Sequence, residues 1–413
     1  MKLNRNIVLF VLATALLGAA GGIFDSTSNN YYSQTFHITA QQRGNLEFPR
    51  EFPGFMVAVM SGVLFFVAEA NIGAIAAALV GIGMFGLAVF ANQPGQYTNM
   101  VVLIVIWSAG THLLMPVTQS ISLDLASQEN EGEKLGQFAS VRSAASIGGC
   151  VIVWLFFAEL GSRFSLTFIV AAIITAFAAI GFLLLGRSMP ATHRHLRPKL
   201  VVKRRYTLFY VLSTLFGARK QVFITFGPWV LITVFGQGAE TIAKLQIVST
   251  LLSVLLLAYI GRLIDRLGER VVLMADAIVM VFVCLAYGFA QDAFTPAGAF
   301  AVVCAAYVTD QFLFGVQMAR ATYLSKIAES RQDLSGTFSL STSIDHAVSI
   351  PIAMLGGRLW QAAGSHRPVF LAATGVALLT LLACSLIRIP RVSHRDAAAT
   401  PEAAAEDVRR EVT

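Results

Sequence analysis

The residues of this 413-residue chain that could do chemistry stand inside otherwise apolar stretches. QQRGNLEFPREFPGF carries Arg43, Glu47, Arg50 and Glu51. The last three lie at i, i+3 and i+4, on one face of a helix. Phe48, Phe52 and Phe55 take another face, and Pro49 and Pro53 free backbone carbonyls where the helix can bend. Such a cluster suits an outer gate or a proton-binding group; equally, it can close on itself as ion pairs at the edge of an apolar span. FDSTSNNYYSQ places Asp25, Asn29 and Tyr32 on one helical face and Ser26 and Asn30 on the next. These side chains can hydrogen-bond a polar solute, unless the apolar run ends near Gly22 and they form a wet loop.

Further along, STLFGARKQVFITFGPW sets Arg219 and Lys220 roughly 14 residues into an apolar stretch, near mid-depth by helical rise. Asp310 in AAYVTDQFLFG sits at similar depth, so the expected pair is Lys220–Asp310 or Arg219–Asp310, which a bound anion could open. Gln221 and Gln311 add neutral hydrogen-bonding groups, and Tyr307 an aromatic wall. Asp345-His346 could carry a proton near neutrality; the favoured reading is plainer, with Asp345 held by an arginine and His346 packed and satisfied. Arg142 is a candidate gating residue, or else the partner of Asp265. His112 is a lone histidine that reads as structural, with solute contact as the alternative. No nucleophile–base or metal-ligand spacing is present, and no G-x-x-x-x-G-K-[ST] stretch exists to use a nucleotide. Cys150, Cys284, Cys304 and Cys384 read as small core residues. An enzyme is thus not expected, nor a cofactor, nor a metal.

What positions these groups follows from composition. The chain is 56% hydrophobic and only 13% charged, against about 25% charge in soluble domains. One globular core could not bury so much apolar surface, so a multi-span membrane protein is expected. Segments near 20 apolar residues run at about 7–33, 45–70, 73–91, 99–122, 138–160 and 165–186, then 206–235, 241–260, 271–290, 297–323, 336–360 and 368–389. The all-α expectation is therefore twelve transmembrane helices. A basic stretch, RSMPATHRHLRPKLVVKRR, divides them: six helices within 1–187, a linker at 188–205, six more within 206–390, and a polar tail at 391–413. Lys/Arg-rich loops stay cytoplasmic. The linker, Arg262/Arg266/Arg270 and Lys326/Arg331 share one side, whereas 91–99, 235–240 and 290–298 hold no Lys or Arg. Both termini are expected inside an inner (plasma) membrane, and the linker is not read as a nucleic-acid patch.

The halves repeat. KLGQFASVRSAASIGG matches DLSGTFSLSTSIDHAVS with Gly136 over Gly336 and Phe138 over Phe338, and SGVL at 61–64 lies where IGRL stands at 260–263. Both give an offset of roughly 200 residues, as in transporters built of parallel halves. GRLIDRLGER, with Gly261, Asp265, Arg266, Gly268 and Arg270, resembles the loop motif G-x-L-a-D-r-x-G-r-r of the major facilitator superfamily. The resemblance implies two pseudo-symmetric six-helix bundles and a conformational latch at this loop. It also implies a cavity lined by the first, fourth, seventh and tenth helices, and alternating-access transport. The chain departs from the pattern at Phe66, where the first-half motif has aspartate, and at Ile106, where proton-coupled drug exporters carry arginine. These departures argue against drug efflux. The buried cations favour a proton-coupled organic-anion transporter working as a monomer. A neutral sugar-like or nucleoside-like solute follows if Arg219 and Lys220 are fully paired. A non-transporting sensor on the same fold is the alternative of another class.

Overall fold

A computed structural model describes residues 4–63, 67–126, 131–159, 161, 164–189 and 202–388. The helices are α1 (Arg5–Phe36), α2 (Ala40–Asn45), α3 (Glu47–Val63), α4 (Glu69–Phe90), α5 (Tyr97–Asp124), α6 (Glu131–Glu159), α7 (Phe164–Ser188), α8 (Thr207–Thr233), α9 (Ala239–Leu267), α10 (Glu269–Ala293), α11 (Pro296–Leu313), α12 (Gln317–Ile327), α13 (Arg331–Ala363) and α14 (Arg367–Ser385). No strand occurs among the described residues. Among the described residues, nine spans are long and apolar enough to cross a membrane, α11 and α12 counting as one. The long helices α3, α8 and α13 fall at the remaining expected positions, and they carry many of the charges discussed above.

Local chemistry sets the ends. Asn4 caps α1 through a side-chain bond to the Asn6 amide, and His37 closes the helix in the left-handed conformation (φ 51°). Thr39 and Gln42 cap α2 reciprocally. The wet-loop alternative for 24–34 does not hold, because α1 continues to Phe36. Ser26 and Thr27 donate to the carbonyls of Gly22 and Ile23 at 2.6 Å each, so their hydroxyls are satisfied inside the helix. The expected span at 297–323 is broken: α11 stops at Leu313, a 3-10 turn covers Phe314–Val316, and α12 resumes.

The motif at 261–270 also differs from expectation. Gly261, Asp265 and Arg266 belong to the last turns of α9, which runs through Gly261 to Leu267. Gly268 alone makes the turn (φ 81°), a conformation that costs glycine little. Asp265 is exposed and no ion pair joins it to Arg142, which is itself exposed. The motif's fixed charge is instead Glu269, fully buried, with Lys326 Nζ 2.5 Å from its carboxylate. Phe66, Arg194, Arg197, Lys199 and the tail lie outside the described residues.

Two hydrophobic cores form, one mainly from α1–α7 and one from α8–α14. The internal repeat reappears in their packing. Phe138 meets Phe10 edge-on (5.1 Å, 85°), and Phe338 meets Phe209 likewise (6.1 Å, 87°). The two halves meet along α6 and α9 and where α13 crosses α2 and α3. At the end bearing the α1–α2 and α8–α9 connections, α2 and α13 touch backbone to backbone. A Cβ on Gly44 would lie 2.3 Å from the Ala353 carbonyl oxygen, and one on Gly357 would lie 2.6 Å from that of Ala40. Small residues permit this approach. Nearby, the Asn30 amide donates across the halves to the Gln237 carbonyl at 2.9 Å.

Candidate functional site

Between the bundles lies a cavity of about 280 Å³. One wall is Phe24, Asp25, Ser28, Asn29 and Tyr32 of α1 with Arg43 and Arg50; the other holds Phe223, Gln246, Tyr307 and Gln311, with Phe314 at the break between α11 and α12. The expected α1 face is therefore real: Asp25, Asn29 and Tyr32 share it and all line the cavity. Tyr307 and Gln311 line it as well. Asp25 lies deep among the helices yet shows solvent-accessible surface, because the surface it shows is the cavity's. It makes no ion pair or hydrogen bond among the described residues, and it is the only acid among the lining residues.

The arginines beside it are engaged. Arg43 Nη1 lies 2.5 Å from Glu47 Oε1, and its Nε donates to Asn29 Oδ1 at 2.8 Å. Arg50 Nε reaches Glu47 Oε2 at 2.6 Å and its Nη2 reaches Glu51 Oε1 at 3.0 Å. Glu47 is completely buried and neutralised from two sides. The cluster thus closes largely on itself, buried within the protein, and it presents the flank of Arg50 to the cavity.

Other expected site residues lie elsewhere. Arg219 Nη1 binds Asp276 at 2.6 Å, and its Nη2 stands 3.7 Å from Asp310, so the Arg219–Asp310 expectation holds only at longer range. Lys220 does not meet Asp310. It binds Asp345 of α13 at 2.6 Å, and Asp345 consequently has a lysine rather than an arginine as its partner. Gln221 turns to Thr225 (2.8 Å), and Asn30 serves the contact between halves. None of Arg219, Lys220, Gln221, Asp310, Asn30 or His112 lines the cavity.

His346 is buried and its ring is satisfied by Glu51, whose Oε2 lies 2.7 Å from its Nδ1, a contact between α13 and α3. His112 stacks edge-on against it at 5.1 Å, and its Nδ1 lies 2.9 Å from the Ser108 carbonyl. Asp276 was missed, although a lone acid in VVLMADAIVM is the signal that an intramembrane charge gives. Ser28, Gln246 and Phe314 carry no such signal, since only the packing of distant helices turns them inward.

At the end bearing the linker, Lys203 binds Glu329 (2.7 Å) and Asp333 (2.6 Å), and Arg205 reaches Glu329 at 3.3 Å. The Tyr206 hydroxyl donates to Asp333 at 2.8 Å. These contacts tie the described end of the linker to the turn between α12 and α13. Hydrogen bonds to the two carboxylates raise the Lys203 pKa, and the Lys203 ammonium holds the Glu329 carboxyl below its ordinary value.

Known proteins share this arrangement. The profile of the Major Facilitator Superfamily matches residues 10–344. The nucleoside transporter NupG superposes with a TM-score of 0.73 at 14% identity, covering 93% of this chain and 98% of that one. A D-xylose-proton symporter gives 0.68 at 14%, covering 92% and 95%. A POT family transporter in complex with 5-aminolevulinic acid gives 0.72 at 12%, again covering 92% and 95%. At these identities the likeness is one of fold. No curated protein matches the sequence. A family profile over most of the length, joined to two pseudo-symmetric helical bundles around a polar cavity, shows that this chain is a multi-pass membrane transporter, not an enzyme, and belongs to the Major Facilitator Superfamily.

Proposed function

We propose that this protein is a secondary transporter of a small, uncharged, hydroxyl-rich solute of the nucleoside or sugar class. The observation that carries the reading is the pairing of Arg219 with Asp276 and of Lys220 with Asp345. An organic-anion site needed those cations free. What faces the cavity instead is the unpartnered Asp25, the amides Asn29, Gln246 and Gln311, the Ser28 hydroxyl, the rings of Phe24, Tyr32, Phe223, Tyr307 and Phe314, and Arg43 and Arg50, whose charges Glu47 and Glu51 already balance. A carboxylate and amides accept from sugar hydroxyls, and aromatic faces stack on a base or an apolar sugar face. The volume sits at the lower end of ligand pockets, about 300–1,000 Å³. Two of the similar structures are described as nucleoside and D-xylose transporters, which agrees with the chemistry of the lining.

The driving ion is a proton, and Asp25 is its carrier. A carboxylate locked to arginine, such as Glu47, has little reason to exchange a proton during transport. Asp25 has no such partner among the described residues, and neutralising it removes an unpaired carboxylate charge from the cavity when the helices close around it. The protein resides in the inner membrane with both termini cytoplasmic and works as a monomer. Its contact of α2 with α13 then seals the outer end.

Uptake and counterflow of radiolabelled uridine and D-xylose in proteoliposomes, with small carboxylic acids as competitors, tests this reading. Asp25→Asn is expected to abolish accumulation driven by a pH gradient while leaving counterflow. Competition by carboxylic acids alone, with no uptake of nucleoside or sugar, would overturn it.

A further inference from the structure

Glu51, His112 and His346 come from α3, α5 and α13, and all three are buried. One donor atom from each lies within 4.8 Å of the other two. Two imidazoles and a carboxylate are a ligand set that zinc accepts with its fourth position open. With bonds of about 2.1 Å, a tetrahedral ion sets its donors about 3.4 Å apart; Glu51 Oε2 and His346 Nδ1, now 2.7 Å apart, would part slightly, and no donor pair has more than about 1.4 Å to close, within reach of side-chain rotation.

The surroundings are built for such an approach. Gly54 leaves free the volume that the two rings crowd: a Cβ there would stand 2.5 Å from His112 Nε2 and 3.1 Å from His346 Cε1. The Ser108 carbonyl and hydroxyl hold His112 Nδ1 at 2.9 and 3.0 Å, which directs Nε2 toward Gly54 and toward His346. Backbone carbonyls orient metal-binding histidines in this way. The local charge also permits a cation. Arg43 and Arg50 are balanced by Glu47 and Glu51, Lys220 is balanced by Asp345, and Asp25 adds a further carboxylate nearby. Arg50 can release Glu51 and keep its shorter contact to Glu47.

We infer that Glu51, His112 and His346 form a site for a divalent transition-metal cation of the zinc type, and that the bound ion clamps the two bundles together. Because α3 and α5 belong to one bundle and α13 to the other, a metal held by all three favours the arrangement that brings them together. It opposes any arrangement that separates them. The cation is therefore an inhibitor of transport. The clamp rests on the transporter reading above; the binding itself does not.

The probes are CoCl2 and ZnCl2 with the purified full-length protein. Cobalt is expected to give a saturable, one-to-one visible absorption of tetrahedral type. Zinc is expected to raise the melting temperature. His112→Gln, His346→Gln and Glu51→Gln, each compared with its own metal-free baseline, should weaken binding at least about tenfold. Absence of saturable cobalt absorption, or binding indifferent to all three substitutions, would overturn the site. In proteoliposomes, zinc at its binding concentration should block uptake in the native protein, reversibly with EDTA, and not in His112→Gln. Zinc that binds without inhibiting would overturn the clamp and leave the transporter reading intact. Lack of uptake for every solute would count against that reading, while the cobalt spectrum still decides the site.

Discussion

Lys220 separates a structural ion pair from a solute-binding cation. Its Nζ lies 2.6 Å from Asp345 Oδ2, with the two side chains 13% and 21% exposed. Lys220→Ala strands the Asp345 carboxylate between helices. Breaking a fully buried pair costs about 3–5 kcal/mol, and an exposed pair is worth about 0–1 kcal/mol. Partial exposure places this one near 2 kcal/mol. If the C-terminal bundle melts as a unit of about 200 residues, that loss lowers its melting temperature by about 4–8 °C. Asp345→Asn should cost a similar amount, because it leaves the ammonium unpaired. The double substitution removes both charges, and should therefore lose less than the sum of the single losses by about 1–2 kcal/mol, as contacting residues do. Thermal unfolding of the four proteins in detergent, followed by tryptophan fluorescence, measures the cycle. Solute-induced stabilisation should survive in each variant that folds. The reasoning fails if Lys220→Ala melts like the native protein yet loses all stabilisation by solute, and if Asp345→Asn does not compensate. That outcome would return Lys220 to the binding site and an anion to the cavity.

Three other outcomes follow from the geometry. Gly44→Val should drive the α2 backbone away from Ala353, and it should raise the alkylation rate of a cysteine placed at Asn29 when reagent is added from the α1–α2 side; an unchanged rate would show that this contact is not the seal. Asp276→Ala should destabilise the C-terminal bundle by about 3 kcal/mol, since it leaves Arg219 buried with only the more distant Asp310; a melting temperature equal to the native value would contradict it. The Glu329 carboxyl is held below its ordinary value of 4.5 by Lys203, so its contribution is present above that pH and is lost as the pH falls through the depressed folded value. The native protein should therefore lose a small increment of thermal stability between about pH 6 and pH 3 that Glu329→Gln does not lose, and equal acid sensitivity in both would assign the effect to other carboxylates.

How much of this was legible in the sequence depended on whether the signal was local. The bilayer demands long helices with internally satisfied backbones, so hydropathy located every long helix, including α8 and α13 despite their charges. The face holding Asp25, Asn29 and Tyr32 was readable because i, i+4 and i+7 share a face in any helix. The repeat was readable too, and Phe138 and Phe338 make matching contacts with Phe10 and Phe209 because each half folds by the same local rules. Pairing was not readable. Lys220 and Arg219 are neighbours in the chain, yet helical rotation sends one to α13 and the other to α10, and no single-helix pattern states which acid waits there. His112 and His346 each looked solitary for the same reason. They become a pair only where Gly54 lets α5 and α13 bring two rings against α3. The lone histidine, the lone aspartate in an apolar helix and the glycine with no turn to make were each weak signals separately. Together they mark the places where distant helices must meet, and the functional proposals for this chain rest on those places.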